Sequence, residues 1–271
     1  MKAASSSILF ISSTADNLYS QDRAGVIKLW DLEKSGYVLK KEIVTGHLGF
    51  TRAQHIADQN LLVAPSGNSD IVFIDLVSGT EVQTLKPPSE DIQQITGIKI
   101  IPWHNDDTYI LASFESGHLV LFDIKQSKAV TTLKYNFGIS CFDYDLTSNR
   151  GLVSGPSNIS VCVFGIDRPS LELYRKDAEN IEYMANDGEK LAGISVIKFR
   201  PDRKIVIVGT CDGIVYIHSH KSLRKFATLR NHKGEITDVA FSNGAIDNFK
   251  SPIMAVIGTD GNISLWDIYY K

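Results

Sequence analysis

The chain has 271 residues, 43% hydrophobic and 22% charged, which is the composition of a folded globular protein rather than a disordered one. Its formal net charge of −3 removes any general basic bias toward nucleic acid. The apolar stretch Ile8 to Ile11 is too short for a signal peptide or a membrane span, and Cys141, Cys162 and Cys211 fit neither a zinc pattern nor a disulfide framework, so a soluble protein of a reducing compartment is expected.

Strand-like runs recur along the whole chain. The first strong one is Gly25-Val26-Ile27-Lys28-Leu29-Trp30-Asp31-Leu32, a turn followed by alternating apolar residues, an aromatic and an Asp. Weaker copies follow at Ile71 to Leu76, Leu119 to Ile124, Ser160 to Ile166 and Ile214 to His218. The last copy, Gly261-Asn262-Ile263-Ser264-Leu265-Trp266-Asp267-Ile268, repeats the first almost position by position. The residues in the aromatic slot are Trp30, Ile74, Phe122, Phe164, His218 and Trp266, at successive separations of 44, 48, 42, 54 and 48. A period of roughly 40–45 residues holding four strands is the mark of a β-propeller blade. The long step contains the stretch Arg168 to Leu191, rich in Lys, Asp, Glu and Asn, which reads as an exposed loop.

Each period carries more than one strand. Glu235 to Phe241 alternates apolar and polar residues, Ser242-Asn243-Gly244 is a turn, Ile253 to Ile257 suits a strand buried on both faces, and Thr259 to Asn262 turns the chain into the Trp-Asp strand. The preceding period repeats this at Gly193 to Phe199, Pro201 to Lys204 and Ile205 to Val208. The expectation is one all-β domain over 1–271 with repeat units near 8–44, 50–86, 94–135, 138–175, 192–230 and 235–270, and an exposed insertion at 176–190. Five units would have four strands and the last three, 23 in all.

These runs resemble the WD-repeat propeller family. In that family a His leading into the blade, an Asp in the turn between second and third strands, and the Trp form a buried network. His232, Asp260 and Trp266 fit all three positions in the last unit. His47 fits before the second unit, which has Asn68 and Ile74 at the other two; Asp212 fits in the fifth, where His218 replaces the Trp. Trp30 fills the slot of the first, while Ala24, Ser116 and Asn158 stand at the turn elsewhere. His47, Asp212, His232, Asp260, Trp30 and Trp266 are therefore expected to be structural, and Trp266→Ala to cost about 3–5 kcal/mol through loss of a buried aromatic.

The stretches Gly25 to Leu32, Phe114 to Asp123, Gly193 to Ile205 and Asp260 to Tyr269 resemble more closely the animal guanine-nucleotide-binding-protein-β-like family and its fungal counterpart, the ASTRA-associated WD-repeat proteins. Members of that family carry one further blade before the point where this chain starts. The favoured reading is a seven-bladed fold lacking its first blade; a six-unit ring with weak closure is the other. The resemblance implies a non-enzymatic, cytoplasmic and nuclear scaffold associated with the Tel–Tti co-chaperone system and the maturation of large phosphatidylinositol-kinase-like kinases, with links to chromatin remodelling and DNA-damage signalling.

No catalytic motif is present: there is no P-loop, Gly-x-Ser-x-Gly, His-Glu-x-x-His or dinucleotide fingerprint, and no cofactor or metal is expected. His218 and His220 would share a strand face, the arrangement of two metal ligands, but lack a third. Lys221, Arg224, Lys225 and Arg230 read as a solvated outer edge. Loops on a rigid scaffold carry recognition, and the expected partners are proteins, with no direct nucleic-acid or membrane contact. Phe50, Arg52, Tyr135, Phe137, Arg230, Lys233 and Glu235 fall on the face formed by the loops leading into the units, where exposed aromatic and Arg residues make the best anchors. Two rival readings are a G-protein β subunit, which would pair with a γ subunit through an N-terminal helix, and a peptide or histone reader with an aromatic or acidic cage.

Overall fold

Period-two alternation in this chain produces antiparallel meanders, each strand pairing with the next in sequence. The computed structural model describes residues 4, 6–14, 16–34, 36–103, 107–155, 160–167, 170–176, 181–182, 193–245 and 252–268. Five meanders of four strands and a last one of three make up a β-propeller fold. The chain divides into two compact halves, Met1–Lys134 and Tyr135–Lys271, with three sheets in each.

In the first half, one sheet contains β1 (Ile8–Ser13), β2 (Asn17–Asp22), β3 (Val26–Glu33) and β4 (Gly36–Val44). The second contains β5 (Gln54–Ile56), β6 (Leu61–Ser66), β7 (Asp70–Asp75) and β8 (Thr80–Leu85), with a short 3-10 turn at Ala57–Gln59. The third contains β9 (Ile95–Pro102), β10 (Thr108–Phe114), β11 (His118–Asp123) and β12 (Lys128–Lys134). Strand β7 shows why such sheets stack. Ile71 and Phe73 point into a core shared with Ile110, Ala112, Val120 and Phe122 of the third sheet. The alternate residues Val72 and Ile74 point the other way, into a core with Ile27 and Leu29 of the first. A strand with apolar residues on both faces needs a sheet on each side, and each fully buried side chain contributes about 1.5–3 kcal/mol.

In the second half, β13 (Cys141–Asp145), β14 (Arg150–Ser154), β15 (Ser160–Asp167) and β16 (Glu172–Arg175) form the fourth sheet. The fifth is β18 (Ile194–Phe199), β19 (Ile205–Thr210), β20 (Val215–Ser219) and β21 (Lys225–Leu229), and the last is β22 (Ile236–Ala245), β23 (Pro252–Gly258) and β24 (Ile263–Asp267). Strand β19 splits its side chains as β7 does: Val206 and Val208 pack toward the fourth sheet, Ile205 and Ile207 toward the last.

Beside the slot residue, the outer strand carries one extra residue in four sheets. Register shifts fall at Leu29/Trp30, Phe73/Ile74, Leu121/Phe122 and Ile217/His218. Such bulges bend the edge and sharpen its twist, which discourages edge-to-edge pairing.

Four expectations change. Ser242 to Gly244 is not a turn between strands but lies inside β22, at a register shift between Phe241 and Ala245. The stretch 176–190 is not wholly exposed loop: it contains a short strand, β17 (Ile181–Glu182), which pairs with Ser160 and Val161 and brings the described strands to 24. Ile253 to Ile257 is not buried on both faces, since only Met254 and Val256 of β23 are buried. Ala24 does not leave the first turn without an acid. Asp22 stands two residues earlier, buried, and its Oδ1 accepts from the N–H groups of Ala24 (3.0 Å) and Val26 (3.1 Å).

Candidate interaction surface

Loops leading into a sheet are hooked to turns by backbone hydrogen bonds. Thr45 N–H donates to Gly25 O at 2.8 Å, and Thr45 O accepts from Gly67 N–H at 2.9 Å. The same loop thus grips the turn of the sheet behind it and the turn of the sheet it leads into. Ile95 to Asn68 and Glu115 to Gln94 repeat this before the third sheet, both at 2.8 Å. In the second half, Ile194 to Gly155 (3.3 Å) and Cys211 to Gly193 (2.9 Å) do so before the fifth. Within each half, lead-in loops and second turns therefore gather on one face.

The loop 45–53 is the most built of these. The buried amide of Gln21 clamps it on both sides of Arg52: Nε2 donates to Thr51 O at 3.0 Å, and Oε1 accepts from Ala53 N–H at 2.7 Å. Thr51 Oγ1 donates to Ile95 O at 2.7 Å. From this fixed base the loop tip projects Leu48, 75% exposed, and Phe50, 67% exposed. The Arg23 guanidinium lies 4.1 Å from the Phe50 ring centroid, a cation–π contact that orients the ring. Arg52 is half-exposed beside them. Sequence reading singled out Phe50 and Arg52 but missed Leu48, Arg23 and Gln21. Nothing local marks Gln21, whose partners lie 30 and 32 residues away.

The candidates in the second half behave differently. Tyr135 is buried and so is not a surface anchor; the Arg175 guanidinium sits 4.3 Å from its ring centroid and the Phe137 ring 5.2 Å away. Phe137 is half-buried and packs against Gly155, where a Cβ would lie 3.4 Å from its Cδ2. Arg230, Lys233 and Glu235 are exposed on the loop leading into the last sheet.

That loop is pinned by a four-residue network. His232 Nδ1 lies 3.1 Å from Asp260 Oδ1, His232 Nε2 lies 2.9 Å from Ser264 Oγ, and Trp266 Nε1 donates to Ser264 Oγ at 2.8 Å. The carboxylate can only accept, so Nδ1 carries the proton. Trp266 can only donate, so Ser264 Oγ accepts from it. Lys233 N–H, at 2.9 Å, and the His232 ring hold the Asp260 carboxyl well below the usual carboxylate range. Trp30 uses another partner, donating to Ser20 Oγ at 3.1 Å. His47 donates from Nδ1 to Gly67 O at 2.9 Å, while its buried Nε2 has no hydrogen-bond partner and faces Gly49. In the fifth sheet Asp212 accepts from Thr210 Oγ1, and His218 Nδ1 bonds Leu223 O at 2.9 Å.

Among the described residues no group of three His, Cys, Asp or Glu is placed to hold a metal ion. His220 pairs with Asp145 at 3.3 Å rather than with His218's partner. Burial pushes the Cys141 thiol up to about 12, which leaves it protonated and unreactive at neutral pH. No helix among the described residues is long and apolar enough to cross a membrane.

Residues 223–267 match the WD domain, G-beta repeat family, and this span holds the complete network of His232, Asp260, Ser264 and Trp266. The chain is 23% identical over 260 residues to the guanine nucleotide-binding protein subunit beta-like protein 1 of Mus musculus, covering 93% of this chain and 74% of that protein. It is 23% identical over 279 residues to the UBP9-binding protein bun62 of Schizosaccharomyces pombe (strain 972 / ATCC 24843), covering 87% of this chain and 50% of that protein. The chain thus spans half the length of the yeast relative.

Proposed function

We propose that this chain is a non-enzymatic scaffold that docks protein partners on its lead-in loops, with Leu48 and Phe50 as the principal anchors. The observation that carries this reading is the pairing of a clamped loop base with an exposed apolar tip: Gln21 and Thr51 fix the backbone, so little ordering entropy is lost when the tip is covered. The WD repeat supports a role in protein–protein interaction, and one similar protein is itself named for binding another. Arg230, Lys233 and Glu235 give the second half an exposed polar lead-in loop of its own.

The finer reading is that the partners belong to the Tel–Tti co-chaperone system and its large kinase clients, in cytoplasm and nucleus. It rests on the motif resemblance and on the similarity to the mouse β-like protein. The test is affinity capture of the tagged chain and of its Leu48→Ala/Phe50→Ala variant, with mass spectrometry of what is retained. Co-chaperone subunits held by the parent and lost by the variant are expected. Capture of other proteins through the same two residues would overturn the finer reading alone. Capture of a γ-type subunit would point to a G-protein role, and identical capture by both forms would overturn the loop assignment.

A further inference from the structure

Three turns of the second half meet at one basic cleft. Residues 145–150 join β13 to β14, residues 199–205 join β18 to β19, and residues 219–225 join β20 to β21. The cleft has a volume of about 430 Å³ and is lined by Arg150, Lys176, Arg203 and Lys221, with His220 and Ser148 between them. Four Arg and Lys side chains share this space in a chain whose net charge is −3.

The cleft is a built feature rather than a chance meeting of surface side chains. Arg150 Nη1 donates to the carbonyls of His220 and, at 2.9 Å, Lys221, so one guanidinium ties the fourth sheet to the fifth. His220 N–H donates to Lys204 O at 3.0 Å, joining the other two turns. The buried His220 ring sits 3.3 Å from both Ser148 Oγ and Asp145 Oδ2. Lys176 Nζ reaches Asn149 O at 3.4 Å from the end of β16. Asn149, Arg203 and Leu223, one in each turn, adopt left-handed backbone at φ +49°, +58° and +56°, which makes the turns tight. Burial lowers the His220 pKa, Asp145 opposes that shift, and Arg150 and Arg203 add to it.

We propose that this cleft binds a phosphorylated side chain, a phosphoserine or phosphothreonine in an extended segment of a protein partner. Arg and Lys side chains gathered around one small cleft suit a compact dianion with several acceptor oxygens. A nucleic acid would instead need cations spread along a track of phosphates. A membrane would need exposed apolar side chains beside the charges, and none lines the cleft among the described residues. The proposal does not depend on what docks at Leu48 and Phe50, which lie in the other half.

The full chain is tested against an immobilised library of phosphoserine and phosphothreonine peptides and against the same library without phosphate. The best binders are then measured by fluorescence polarisation. The Arg203→Glu/Lys221→Glu variant changes two exposed side chains, and an unchanged thermal melt verifies its folding. Phosphorylated peptides binding at least about tenfold tighter than their unmodified forms are expected, with a loss of about tenfold or more in the variant and competition by inorganic phosphate. The absence of a phosphate preference, or a preference that survives in the folded variant, overturns the proposal. So does binding of a single-stranded oligonucleotide or of phosphoinositide vesicles, sensitive to the same variant, when the phosphopeptides do not bind.

Discussion

The two Trp-Asp strands carry the same motif in opposite surroundings. Gly25 and Gly261 open them with nearly identical backbone, φ +76° and +75°. In β3, Ile27 and Leu29 are 0% and 2% exposed, under Leu62, Ala64, Val72 and Ile74 of the second sheet. The matching residues of β24, Ile263 and Leu265, are 71% and 70% exposed. Trp266 faces the other way, toward the core shared with the fifth sheet. The motif therefore specifies a strand and one packed face. What covers the second face comes from elsewhere, and the same two apolar residues can be core or surface.

The sharpest way to break this comparison is to truncate the paired leucines. Leu29→Ala should cost about 2–5 kcal/mol, the usual range for a fully buried leucine, and Leu265→Ala less than about 1 kcal/mol. Denaturant unfolding of both variants measures the difference. Equal losses would mean that the β24 face is covered in solution. Trp266, being half-buried, should lose less on truncation than the sequence alone suggests, about 1–3 kcal/mol.

The paired glycines come next. A Cβ on Gly25 would lie 2.5 Å from the His47 carbonyl oxygen, whereas nothing stands within 4 Å of one on Gly261. Gly261→Ala should cost only the left-handed backbone penalty, about 1–2 kcal/mol. Gly25→Ala should add about 1–3 kcal/mol for displacing the lead-in loop. Gly213 resembles Gly25, with the His232 carbonyl oxygen at 2.6 Å, and should follow it. Thermal melts of the three variants would rank them, and a Gly261 variant as damaged as the Gly25 variant would contradict the packing described.

The difference between these strands also marks where sequence reading stops. Period two, the turn glycines and the slot residues are local, so the meanders and the six-fold repeat were legible. The His232, Asp260 and Trp266 network was legible because three residue types stood at the right offsets; Ser264, two residues before the Trp, was not marked. Exposure of Ile263 and Leu265 was not legible, since it depends on a neighbour rather than on β24. The Gln21 clamp and the cleft of Arg150, Arg203 and Lys221 join segments 30–71 residues apart. Tyr135 and Phe50 look alike as loop aromatics, and only packing separates plug from anchor.

The smallest expected effects compare the two histidines that lead into sheets. His47 is buried with one ring nitrogen unpartnered, and desolvation lowers its pKa. A histidine with a lowered folded pKa is protonated more readily when unfolded, so its contribution is full above about 6.5 and is lost as pH falls from there toward the folded value. Burial also lowers His55, His118, His218 and His220, so the protein should weaken between about pH 7 and 5, and His47→Gln should flatten that slope without abolishing it. In the other network the acid carries the shift. Asp260 has a depressed pKa, so its contribution stands above about 4 and disappears only as pH falls further. Asp260→Asn should therefore be less stable than the parent at pH 7 and approach it below about pH 4. Unfolding curves from pH 8 down to about pH 2 for both variants decide the matter. A slope that His47→Gln leaves untouched would place the acid sensitivity in the other buried histidines, and an Asp260→Asn deficit that does not narrow at all between about pH 4 and 2 would mean that the aspartate acts by shape rather than by charge.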